Sequence, residues 1–136
     1  MGPHDRLIAY VKAQRGKQFA LGEHDCFTFT NGAWQAMHGE GYADHFVGRY
    51  AGLGPKAFAK LMRECFGTVS IIEAFDNGLT RVAFPPKGAL VATKNARPYF
   101  TGYALGIAMG VTAVFLGEDD VIYMPISQIE GAWVKR

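Results

Sequence analysis

Two cysteines and four histidines are the side chains of this sequence best suited to nucleophilic or metal chemistry. Cys26 closes the turn Gly22-Glu23-His24-Asp25-Cys26 and opens a predicted helix. A thiol at a helix start meets free backbone N–H groups and the positive end of the helix dipole, and both favour the nucleophilic thiolate. The commoner fate of a free cysteine is a small buried hydrophobe, so Cys26 has two readings. A cysteine hydrolase also needs a histidine base oriented by a polar group. His4, His24, His38 and His45 all lie at or before position 45, so no histidine stands in the second half of the chain. His24, two residues before the thiol, reads as a loop residue helping to cap the helix. His38 falls at the far end of the same helix. His45 lies in the loop Tyr42-Ala43-Asp44-His45-Phe46, which could fold back over the helix start, although a loop histidine is more often exposed. Cys26, Asp25 and His45 are therefore the candidate catalytic residues.

Other groups read as structural. Asp119-Asp120 sits in a predicted hairpin turn, Glu73 in a capping box, and Cys65 on the apolar side of a helix. Tyr99, Phe100 and Tyr103 form an aromatic cluster suited to a groove, an interface or a core. No C-x-x-C or H-x-x-x-H pair occurs, so neither a structural zinc site nor any other metal or cofactor is expected.

The elements that must position these groups follow from the pattern along the chain. The 136 residues are the size of one domain, 49% hydrophobic and 19% charged, which excludes a disordered chain. The net charge of +2, without a basic run, argues against nucleic-acid binding. Two cysteines are too few for a disulfide framework, and a reduced state is expected. The start, Met1-Gly2-Pro3-His4-Asp5, has no apolar core and does not resemble a cleaved leader. The apolar run from Tyr103 to Leu116 is broken by glycines and too short to span a bilayer, so no membrane insertion is expected.

Apolar spacing predicts helices over Pro3–Gln14, from Asp25 or Cys26 to His38, over Pro55–Phe66, and over Ile71–Asp76 behind a Ser70–Glu73 capping box. Asn77-Gly78 reads as a turn. Strands are predicted at Ala89–Thr93, Ala104–Met109, Thr112–Leu116, Val121–Pro125 and Ala132–Lys135, with turns at Gly110-Val111 and Gly117–Asp120. Helices first (about 3–77) and strands second (about 88–135) make a single α+β domain over 1–136, with an antiparallel sheet of about five strands.

The pattern Phe19-x-x-Gly22-x-His24-Asp25-Cys26-x-x-Phe29 resembles the cysteine motif of phage-encoded NlpC/P60-like proteins, which have a papain-like fold. Tyr50 and the helix at Ala57–Phe66 fit the same layout. Gly88-Ala89-Leu90-Val91 stands where that family has Gly-Asp-Leu-Val, and Ala104-Leu105-Gly106-Ile107 resembles its His-Val-Gly-Ile strand. Pro125, Trp133 and Val134 close the pattern, which runs from about Leu7 to Val134. The resemblance implies a helix carrying Cys26 packed on an antiparallel sheet. It also implies hydrolysis of amide bonds in peptidoglycan stem peptides, and for phage members a place at the tail tip. Two positions depart from it. Ala104 stands where the base belongs, and Ala89 replaces the Asp of the first strand. Losing one member of such a unit costs orders of magnitude in rate.

Two functions follow as expectations. The first is a structural tail-tip protein of the virion, catalytically degenerate, whose partners are other phage tail proteins. The second is an active peptidoglycan endopeptidase or amidase with Cys26 as nucleophile and a non-standard base. A cellular papain-like hydrolase trails both.

Overall fold

The computed structural model describes residues 1–96 and 102–136. Four helices precede most of the sheet: α1 (Pro3–Gln14), α2 (Cys26–His38), α3 (Pro55–Phe66) and α4 (Ile71–Gly78). Six strands follow, β1 (Thr80–Arg81), β2 (Leu90–Thr93), β3 (Ala104–Ala108), β4 (Thr112–Leu116), β5 (Val121–Pro125) and β6 (Gly131–Val134), with a 3-10 turn at Ile126–Gln128. They form one antiparallel sheet in the order β1-β6-β2-β3-β4-β5. The α+β expectation holds, with one more strand than expected. Asn77 and Gly78, read as a turn, finish α4 instead. The amide of Leu79 still reaches back to the Phe75 carbonyl, so the last helical turn is completed before the chain extends. Tyr99 and Phe100 of the aromatic cluster lie outside the described residues.

Strands β2 and β3 are buried on both faces, which is why they read as continuous apolar runs and not as alternation. Leu90, Ala92, Leu105, Ile107, Val114 and Trp133 join the main core with the helices. The opposite face carries Ala89, Val91, Ala104, Ala108, Ala113, Phe115 and Ala132, overlaid by Met124, Ile126 and Ile129. Small residues there let the covering segment lie close. Gly106 takes this to the limit, since a Cβ on it would stand 2.6 Å from the Phe115 ring.

Helix α2 is the central helix. It packs on α1, β3 and β4. Gly32 lets α1 come close enough for the Tyr10 hydroxyl to donate to the Phe29 carbonyl at 2.8 Å; a Cβ at Gly32 would lie 2.3 Å from that oxygen. The loop after α2 is tied back to it by side chains. Asp44 accepts from Asn31, Gln35 and the Gly41 amide at 2.8–2.9 Å, while Asn31 accepts from the Ala43 amide at 2.7 Å. This loop delivers Tyr42, His45, Phe46 and Tyr50 to the flank of α2.

Candidate active site around Cys26

The chain enters α2 through a tight turn in which Ala20 and His24 exchange backbone hydrogen bonds at 3.0 and 2.7 Å. Asp25 is the N-cap. Its carboxylate accepts from the Thr28 amide at 2.9 Å, and the Thr28 hydroxyl closes the box on the Asp25 amide at 2.7 Å. The capping role expected of His24 therefore falls to Asp25, whose short carboxylate reaches the first-turn amides. Asp25 is also fully buried, and it accepts from the Gly22 amide at 2.7 Å and the Tyr50 hydroxyl at 2.5 Å. A carboxylate this enclosed is tolerated because three donors, the Gly22 and Thr28 amides and the Tyr50 hydroxyl, surround it. Its contacts are those of a clamp holding the cysteine turn to the following loop.

Cys26 is the first residue of α2 and is 2% exposed. Burial pushes its thiol up to about 12. The amide of Leu105 pulls the other way, Asp25 adds to the rise, and the amides of Cys26 and Phe27 oppose it more weakly. The expectation that the helix start favours thiolate is thus reversed here, because removal from water outweighs the aligned amides. The sulfur faces the beginning of β3 at Leu105. Ala104, where the resemblance places the base, is 4% exposed and belongs to the core on the opposite face of the sheet from Leu105.

The histidines have other company. His45 Nε2 stands 2.9 Å from the Cys65 carbonyl, with its ring edge-on to Phe66, so it packs against the end of α3. His24 is half-buried and held below its ordinary value by burial and by Lys17, with Asp25 opposing, and its Nε2 has no hydrogen-bond partner among the described residues. His38, at the far end of α2, is lowered by burial, Lys135 and Arg6, with Glu40 opposing. Among the described residues, no hydrogen bond joins an imidazole to Cys26, and no group of His, Cys, Asp and Glu has the makings of a metal site. Asp120 is a turn residue as expected, accepting from the amides of Gly16 and Val121.

Of two tyrosines near the thiol, sequence reasoning missed Tyr42 altogether and named Tyr50 only for its fit to the family layout, not for its bond to Asp25. Tyr42 exchanges a 2.7 Å hydrogen bond with Thr30, whose hydroxyl also donates to the Cys26 carbonyl at 2.6 Å. Tyr50 caps Asp25. Burial drives both phenols well above the ordinary tyrosine value. No local signal marked either for burial, since Tyr42 stands between Gly41 and Ala43 and Tyr50 between Arg49 and Ala51. Three clefts of about 230 to 280 Å³ lie in the surface, two of them touching Tyr42 and one His45, and neither Cys26 nor Ala104 lines any of the three.

A family model described as a domain of unknown function, DUF6950, matches residues 2–134. The chain belongs to the DUF6950 family. No curated protein matches it by sequence. By structure it is similar to the NlpC/p60 domain of the peptidoglycan hydrolase SagA, with a TM-score of 0.57 and 15% identity over 96% of this chain and 97% of that one. At that identity the likeness speaks to the fold, and the DUF6950 domain thereby has the NlpC/P60 type of α+β architecture. No helix among its described residues is long and apolar enough to cross a membrane.

Proposed function

We propose that this domain is a peptidoglycan-hydrolase scaffold of the NlpC/P60 type that has lost catalysis and serves as a structural protein of a phage tail, at its tip. The observation that carries the loss of catalysis is the state of Cys26. Its thiol is buried and pushed up to about 12, and Ala104 stands in place of a base. A nucleophile needs a populated thiolate or a neighbouring base, and neither requirement is supported. Folds outlast the activities they once carried, so a scaffold without its chemistry is an ordinary outcome.

The tail assignment rests on the resemblance of the cysteine turn and the Gly88 and Gly106 strands to phage-encoded members. It places the protein in the virion, with other tail proteins as partners. Phe84 and Val111, 91% and 84% exposed, are apolar side chains that a neighbouring tail protein would cover.

An active murein hydrolase is the second reading. The backbone amides of Leu105, Cys26 and Phe27 around the sulfur favour it, since they stabilise negative charge there. Incubating the purified protein with intact peptidoglycan and with stem peptides separates the two. No released fragments are expected, and turnover abolished by Cys26→Ser would establish the hydrolase. Mass spectrometry of purified virions tests the tail role, which fails if the protein is absent from particles whose other tail proteins are detected.

A further inference from the structure

Two clefts meet at Trp34, at the end of α2 remote from Cys26. The larger, about 280 Å³, is floored by Trp34, Met37 and Pro86 and edged by His38, Lys87 and Lys135. No Asp or Glu lines it. The smaller, about 230 Å³, shares Trp34 and Lys135 and adds Arg136. Among the described residues the acidic side chain at this junction is Glu40, which pairs with Lys135 at 3.3 Å, the two side chains being 69% and 46% exposed. Such an exposed pair holds weakly and yields to a competing anion. At His38 nearby Lys135 and Arg6 add to the effect of burial, with Glu40 opposing them more weakly.

Trp34 is common to both clefts. It is 3% exposed, and its Nε1–H is enclosed without a hydrogen-bond partner among the described residues. Its ring neighbours are His38 and Tyr42, edge-on at 5.3 and 5.4 Å. A buried donor left unpaired is destabilising. The other tryptophan shows the usual solution, for Trp133 Nε1 donates to Asp76 at 2.8 Å. Because that N–H is closed to solvent, Trp34 meets the two clefts with its other atoms, and a bound ligand would act on the indole signal by changing the surroundings of the ring.

We propose that the larger cleft binds a small organic anion, its anionic group held by Lys87 and Lys135 and its compact apolar body resting on Trp34, Met37 and Pro86. The charge is matched by Lys87 and by Lys135, which must exchange Glu40 for the ligand, and the apolar body by the floor. This site is separate from Cys26 and does not depend on whether the thiol is active.

The two indole N–H signals make the test direct. The ¹⁵N-labelled full chain is titrated with phenylacetate, phenyl phosphate, acetate, inorganic phosphate and the neutral phenylacetamide. Expected is a saturating shift of the Trp34 indole signal with a phenyl-bearing anion while that of Trp133 stays in place. Affinity should be at least about tenfold lower for phenylacetamide and for the bare anions, and for the protein carrying both Lys87→Ala and Lys135→Ala. The stronger of phenylacetate and phenyl phosphate identifies the anionic group as carboxylate or phosphate. The proposal is overturned if neither phenyl anion saturates. It is equally overturned if phenylacetamide or a bare anion binds as tightly, or if the lysine substitutions leave affinity unchanged. Both lysines are at the surface rim, and an unchanged spectrum of the variant establishes that it is folded.

Discussion

The Tyr50 hydroxyl donates to Asp25 Oδ2 at 2.5 Å, joining two buried side chains that are 25 residues apart. The bond fastens the cysteine turn to the loop before α3. Tyr50→Phe keeps the ring packing against Phe27 and Phe46 but leaves the carboxylate short of a donor. The expected loss is about 1–3 kcal/mol. Asp25→Ala removes the helix cap as well and strands the Gly22 amide, so it should cost more, at least about 2 kcal/mol. Urea unfolding of the two variants checks both the magnitudes and their order.

The raised Cys26 thiol carries a pH dependence whose sign is fixed. The folded chain holds its proton up to about 12, while the unfolded chain releases it near 9.0. The contribution is therefore complete below pH 9 and lost as pH rises towards 12, at about 1.4 kcal/mol per pH unit. Stability of the native chain should fall more steeply over this window than that of Cys26→Ala, in which the buried tyrosines still contribute to both. Labelling follows the same logic: at pH 8 a thiol of this kind is about one part in ten thousand ionised. A thiol reagent should modify the half-buried Cys65 first, and Cys26 only on unfolding. Fast labelling of Cys26 at neutral pH would contradict the burial.

Supplying an imidazole should not restore hydrolysis. Ala104 is 4% exposed and set among Val91, Phe115 and other tightly packed residues. Ala104→His overfills that layer, at a cost of about 1–3 kcal/mol. Cys26 would remain in the core. Release of peptidoglycan fragments by this variant is expected to stay at background, and thermal unfolding should shift downward.

Asp44 gives an effect at the opposite end of the pH scale. The Asn31 amide, with further help from the Gly41 amide, Gln35 and His45, holds its carboxyl below the ordinary 3.8. A depressed carboxyl stabilises the fold above its unfolded value and stops doing so as pH falls. At pH 7 the native chain should melt above Asp44→Asn. The two melting temperatures should converge below pH 3.8. A gap that persists in acid would place the effect in packing instead.

Most of the framework was legible because local patterning agreed with tertiary demand. The stripe Leu7, Val11 and the run Phe27 to Met37 predicted α1 and α2, and the first helix matched residue for residue. Strand β1 escaped because two residues have no period; Thr80 and Arg81 become a strand only by pairing with Val134 and Trp133. The start of α2 at Asp25 or Cys26 was visible, while the cap was assigned to His24, one residue too early. The bond between Asp25 and Tyr50 was not visible, nor was the placing of His45 against Cys65, since both depend on where a long loop lands. The thiol shows the same divide. The helix start is a local feature and was read correctly, whereas burial is set by the whole core and reversed its chemical meaning.

The order β1-β6-β2-β3-β4-β5 also bears on how the chain is made. Strand β6 lies between β1 and β2, so neither can complete its pairing until residues 131–134 have left the ribosome. Until then β2 shows an open edge, and Trp133 is missing from the core that Phe75 must close. Helices α1 and α2 can meet early, but the sheet waits for nearly the whole chain. During synthesis the nascent domain therefore offers unpaired apolar strands to whatever chaperones attend the ribosome, and stalling a few codons before Gly131 would leave a chain that cannot close its sheet.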